Sequence, residues 1–126
     1  MNRKATIDLI TEDSANHEFV LYVVEDGPWP EGVRERLERL QERLYDAIDI
    51  ALDGHLVTKF PRSKGMNVRI QIDLHGQPPR EVPDFVMRFR EHVLNDAVFR
   101  GRMKQNRYVH HLRIVTGSEM GRKSSS

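Results

Sequence analysis

The stretch Val68-Arg69-Ile70-Gln71-Ile72-Asp73-Leu74 sets an apolar residue at every second position and a polar one between each pair. Successive side chains of a strand point to opposite faces, so Val68, Ile70, Ile72 and Leu74 enter a core while Arg69, Gln71 and Asp73 enter water. A sheet with one dry and one wet face is normally antiparallel, because parallel sheets are covered on both sides and their strands read as unbroken apolar runs. The alternation therefore predicts a mainly antiparallel sheet with its helices gathered on one face.

The rest of the chain supplies the other elements. Residues 5–10 read as a short strand, 11–16 as a polar turn, and 19–24, β-branched and aromatic on both parities, as a central strand that forms a hairpin with the first. Gly27-Pro28-Trp29-Pro30 ends it, since neither proline can donate to a ladder. From 31 to 53 the period changes to about 3.6: Val33, Leu37, Leu40, Leu44, Ile48, Ala51 and Leu52 form one stripe of a long amphipathic helix. Pro30 and Glu31 suit its first turn, Glu35 and Arg39 can pair on its exposed side, and Gly54 is its left-handed stop. Residues 55–60 read as a short strand and 61–65 as a loop. A second helix runs from about 81–84 to about 97, and 108–115 is the last strand.

The order ββα(β)βαβ predicts an α+β fold, a two-layer sandwich of a four- to five-stranded sheet with two helices on one face. If 55–60 pairs into the sheet, the portion from Phe19 onward becomes βαββαβ, a ferredoxin-like split. At 126 residues the chain fits one domain, expected over 1–116 with a disordered tail at 117–126.

Composition excludes several classes. Cysteine is absent, which removes disulfides, thiolate nucleophiles and zinc ribbons. No apolar run approaches the ~18 residues of a membrane span. Asp8 interrupts the N-terminal region before a signal peptide could form, so a cytoplasmic address is expected. Residues 1–99 hold thirteen Lys/Arg against eighteen Asp/Glu, whereas residues 100–126 hold seven basic groups and only Glu119. A basic segment on an acidic body can serve an electrostatic partner, although such runs more often form a solvated surface.

Ile7-Asp8-Leu9-Ile10, the apolar strand ending in Glu25-Asp26 before Trp29, then Leu37, Leu40-Gln41-Glu42-Arg43-Leu44 and Gly54-His55-Leu56 resemble an uncharacterised family of small bacterial proteins, a domain of unknown function. The likeness covers roughly residues 5–61. Arg36 stands where that family commonly has His, and Ala47 where it commonly has an aromatic. The resemblance implies a small α+β fold and a bacterial source, and implies no activity.

Candidate chemistry is sparse. His75, with Asp73 and either His110 or His111, could hold a metal across neighbouring strands, but no compact spacing such as H-E-x-x-H occurs, and surface histidines are the simpler reading. Ser14 and Ser63 lie outside any G-x-S-x-G, and Gly65, Gly76 and Gly101 outside any phosphate-binding loop. Glu25 and Asp26 end a strand, where acidic groups also serve as solvated edges. Trp29, the only tryptophan, could anchor a partner beside Tyr22 and Asp26, or could staple the strand to the helix, the more common role of a large aromatic. Arg69, Gln71, His111 and Arg113, bordered by Arg100, Arg102, Lys104 and Arg107, could form a phosphate-binding strip. The aromatic platform of single-strand RNA readers is missing, and Asp8 and Asp73 would repel phosphate.

The sequence thus predicts a non-enzymatic, macromolecule-binding protein whose partner is a protein, bound through Tyr22, Asp26, Trp29, Arg69, Gln71, Asp73, His111 and Arg113. The mixed charge of the wet face favours protein over phosphate. Nucleic-acid binding through that face, and a small enzyme or metal protein built on His75, Asp73 and His111, are the alternatives. No cofactor, metal or membrane is implied. A homodimer through a sheet edge stays open, since neither edge carries a proline guard.

Overall fold

Two-residue and 3.6-residue periodicities alternate along the chain, and the computed structural model, which describes residues 7–29 and 32–117, turns them into four strands and four helices. These are β1 (Leu9–Asp13), β2 (Glu18–Glu25), α1 (Arg34–Leu52), α2 (His55–Lys59), β3 (Met66–Leu74), α3 (Glu81–Asn95), α4 (Ala97–Gln105) and β4 (Val109–Thr116), with a 3-10 turn at Pro61–Ser63. The sheet order is β1-β2-β3-β4.

β1 and β2 form the expected antiparallel hairpin, with Leu9 opposite Tyr22 and Asp13 opposite Glu18. Its turn lies later than the sequence suggests. Asp13 Oδ1 accepts from the Asn16 backbone N–H at 3.2 Å and Asp13 Oδ2 from Asn16 Nδ2 at 2.8 Å, while His17 takes φ +55°. Such side-chain-to-backbone bonds let the chain reverse in a few residues.

The remaining pairings correct the expectation of a mainly antiparallel sheet: β2–β3 and β3–β4 are both parallel, so the sheet is mixed. Each parallel neighbour is reached through a helical crossover. Such crossovers are right-handed as a rule, and two of them taken in the same direction carry their helices to the same side. All four helices contribute to one cluster with Phe19, Leu21 and Val23 of β2 and Val68, Ile70 and Ile72 of β3. The alternation in β3 reports correctly which face is dry, but it says nothing about which way the neighbouring strands run.

Residues 55–60 supply no fifth strand, and with it goes the ferredoxin-like split. They follow Gly54, whose φ of +93° ends α1, and Thr58 returns both its N–H and its hydroxyl to Gly54 O at 2.9 Å. Leu56 is fully buried and Phe60 packs against the same cluster. The N–H groups of Thr58 and Phe60 return to the carbonyls of Gly54 and Leu56, the four-residue hydrogen bonds of a helix, which leave nothing to pair with a neighbouring strand. Gly54 is fixed twice over, since a Cβ there would lie 2.8 Å from the Tyr108 ring.

In α1, Leu40, Leu44, Ile48, Ala51 and Leu52 are buried as expected, joined by Ala47. The Glu35–Arg39 pair does not form among the ion pairs of the described residues; Arg34 pairs with Glu38 at 3.5 Å and Arg39 approaches Glu25 at 4.0 Å. The placement of Pro30 and Glu31, and a disordered tail beyond Gly117, fall outside the described residues. The second helix stops at Asn95 because Asp96 takes an extended conformation and its carboxylate accepts from Phe99 N–H at 3.0 Å, an N-cap that starts α4. Asn106 then accepts from the N–H groups of Tyr108 and Val109 and turns the chain into β4.

Candidate functional site

Opposite the helix-packed cluster, the strand registers set out rows of side chains on a polar face. One row runs Asp13, Glu18, Asn67, His111; the next Thr11, Val20, Arg69, Arg113; the next Leu9, Tyr22, Gln71, Val115. At its centre, Glu18 and Arg69 are each only 4 % exposed. Arg69 Nη1 donates to Glu18 Oε1 at 2.7 Å and to Asp13 Oδ2 at 3.1 Å, and its Nε donates to Gln71 Oε1 at 3.2 Å. Gln71 Nε2 passes the chain on to Asp73 Oδ1 at 3.1 Å. From the other side, Arg113 holds Glu18 with two bonds, Nε to Oε2 at 2.7 Å and Nη2 to Oε1 at 3.0 Å. The forked guanidinium is suited to this geometry.

The electrostatics follow from these contacts. Burial pushes the Glu18 carboxyl up, but the hydrogen bond and charge of Arg113, with those of Arg69, outweigh it and hold the group below its ordinary value. Asp13 is lowered chiefly by its bond from Asn16, with burial opposing and Arg69 assisting. Both carboxylates are therefore ionised at neutral pH, each facing the guanidinium that holds it.

Of the residues singled out in the sequence, Arg69, Gln71, Asp73 and Arg113 are brought together in this network. Tyr22 lies half-buried in the adjoining row, beside exposed Leu9, and His111 is exposed in the row that begins with Asp13. The three residues of the metal alternative are not assembled. His111 pairs in register with Asn67, six residues before Asp73 on β3, a separation of about 20 Å at a strand rise of ~3.3 Å per residue. His75 lies farther still. A register shift at Met66/Asn67 bulges His110 out of the ladder. Among the described residues no group of three or more His, Asp or Glu is placed to hold a metal ion. The basic border of the strip is also displaced: Arg100, Arg102 and Lys104 belong to α4, and Arg102 reaches Asp49 at 3.0 Å and Asp53 at 3.2 Å at the end of α1.

Trp29 and Asp26 belong to a second cluster, at the carboxyl ends of β2 and β3. The Trp29 Nε1–H donates to His75 O at 2.7 Å, and Arg36 stacks on the ring at 4.2 Å from its centroid. These two contacts tie the turn to the end of β3 and to α1. Beneath the indole, the backbones of Gly27 and Gly76 abut so closely that a Cβ on Gly76, whose φ is +75°, would lie 2.8 Å from Gly27 Cα. Asp26 is exposed, and its carbonyl accepts from Arg36 Nη2 at 2.8 Å.

The centre of this second cluster is Glu25, only 3 % exposed, although its place at a strand end suits a solvated carboxylate. It accepts from Arg36 at 3.0 Å and Arg43 at 2.7 Å, and Arg43 also reaches Asp8 at 2.6 Å. The available signal was the spacing of Arg36 and Arg43, two turns apart on the flank of the helix stripe, which places both beside the strand that precedes the helix. Elsewhere, a cleft of about 290 Å³ opens beside β1, lined by Ile10, Phe19, Phe60 and Pro61, with Arg62 and Glu12 paired at 2.8 Å on its wall.

A profile of the family of unknown function DUF6572 matches residues 1–107. The chain belongs to that family. The match ends one residue short of β4, so among the described residues it takes in three strands and four helices. No curated protein and no solved structure gives a significant match to the chain. No helix among the described residues is long and apolar enough to cross a membrane.

Proposed function

We propose that this DUF6572 member is a non-enzymatic module that binds another protein through the polar face of its sheet. In this reading the helices form one layer, the sheet the other, and the polar face is left to the partner. The observation that carries it is the commitment of Arg69 and Arg113 to Glu18. Arginines held in this way form an ordered mosaic of both signs, which suits a protein surface of complementary mixed charge and offers little to a phosphate backbone. Leu9 and Tyr22, adjoining the mosaic, supply the apolar contact that a protein partner can bury.

The test places a photo-crosslinking amino acid at Leu9 or His111 on the polar face, and at exposed Glu38 of α1 as the control, in cells that produce the protein. A discrete adduct from the first two positions and none from Glu38 is expected. Adducts independent of position would overturn the reading. So would salt-sensitive, submicromolar binding of a single- or double-stranded oligonucleotide by the purified protein, which is the signature of phosphate neutralisation.

A further inference from the structure

Two apolar side chains of α3 are exposed on one flank of the helix, Met87 at 52 % and Leu94 at 43 %. They lie two helical turns apart, with Arg90 between them on the same flank. Arg90 Nη1 donates to Ile114 O at 3.1 Å, so this flank borders β4, and β4 is an edge of the sheet. An apolar helix flank and an edge strand thus run side by side.

The geometry points to a second copy of this chain as the occupant of that surface. The flank is complementary to itself. Set two α3 helices antiparallel about a two-fold axis passing between residues 90 and 91, and Met87 of one faces Leu94 of the other, twice, while Arg90 faces Glu91, twice. Such mutual pairing is what an isologous interface requires. Because Arg90 touches Ile114, the same axis passes β4 near Ile114. Antiparallel pairing of β4 with its copy about that point would join two four-stranded sheets into one of eight strands. In the single chain Arg90 occupies the Ile114 carbonyl and guards the edge; in the dimer that carbonyl passes to the second β4 and the guanidinium turns to the second Glu91. The inference is independent of the polar-face reading, since it concerns a different surface and is measured on the purified chain alone.

Sedimentation equilibrium of the full chain from 1 to 200 μM tests it. A concentration-dependent dimer is expected. Arg90→Glu and Glu91→Arg should each weaken dimerisation by roughly tenfold or more, through like charges set against each other. An equimolar mixture of the two variants should restore it as a heterodimer, because each then meets an opposite charge. Restoration separates lost pairing from lost folding, and circular dichroism of each variant checks the fold directly. A chain monomeric at 200 μM, or a dimer indifferent to both substitutions, or variants that fail to recover on mixing, would each overturn the inference.

Discussion

Glu18 and Arg69 meet at 2.7 Å along a diagonal of the sheet, for in register Glu18 faces Asn67 and Arg69 faces Val20. The diagonal lets one carboxylate lie between two guanidiniums, Arg69 on the central strand and Arg113 on the edge strand. Neither Glu18 nor Arg69 is reached freely by water. Taking two charges out of water is costly, and only a closed set of partners offsets that cost.

Glu18→Gln should therefore destabilise the fold by about 3 kcal/mol, because it leaves Arg69 buried with a weakened partner. Replacing Glu18 and Arg69 together by Leu and Met should recover part of the loss, since apolar residues carry no desolvation penalty. Urea unfolding of the single and double variants measures both. A loss from Glu18→Gln below about 1 kcal/mol would show the pair to act like an exposed one.

Acid should act through the same groups. The folded-state values of Glu18 and Asp13 are held below their ordinary 4.5 and 3.8. As pH falls the unfolded chain binds protons first, so the stabilisation is complete above the ordinary values and is lost as pH passes down through the lowered ones. The stability gap between wild type and Glu18→Gln should stay level from pH 8 to about 5 and narrow steadily below about pH 4.5. Chemical unfolding at each pH measures the gap; a gap that widened in acid would contradict the sign.

At the carboxyl ends of β2 and β3, Gly76→Ala should cost about 2 kcal/mol or more. The position demands a left-handed φ of +75°, and its Cβ would press on the Gly27 backbone, which cannot move aside as a flexible side chain could. Gly32→Ala meets nothing within 4 Å and should leave stability nearly unchanged. Thermal unfolding of the two variants in parallel separates the local collision from any general effect of losing a glycine.

Trp29 makes its own surroundings measurable. Arg36→Ala removes the guanidinium from the indole face and one partner of buried Glu25. Emission should shift to longer wavelength and stability fall by about 2 kcal/mol. Arg36→Lys keeps the charge but loses the planar stack and the fork, so it should lie between the two. Emission unchanged in Arg36→Ala would show that the stack does not shield the ring.

Much of this was legible in the chain. The long helix was, since Leu40, Leu44 and Ile48 keep helical spacing, and so was the dry face of β3. The direction of the strands was not, because a one-sided alternation arises in a parallel pair whenever both crossovers fall on one side. Residues 55–60 look extended in the sequence because Leu56, Val57 and Phe60 make a short apolar stretch, and over so few residues periodicity does not separate a strand from a single helical turn. Arg69 was correctly set on the polar face, yet its burial was hidden: it depends on Glu18, fifty-one residues earlier, and Arg113, which only the sheet order brings near. Glu25 differs, since its partners Arg36 and Arg43 lie on the next element and their seven-residue spacing points back at the strand.

The sheet order follows the order of the chain. As residues leave the ribosome, the β1–β2 hairpin can close first, and each helical crossover then lays its strand against an edge that already exists. No strand has to be threaded between two earlier ones. Synthesis and assembly can proceed in the same direction, with β4 the last of the described strands to join.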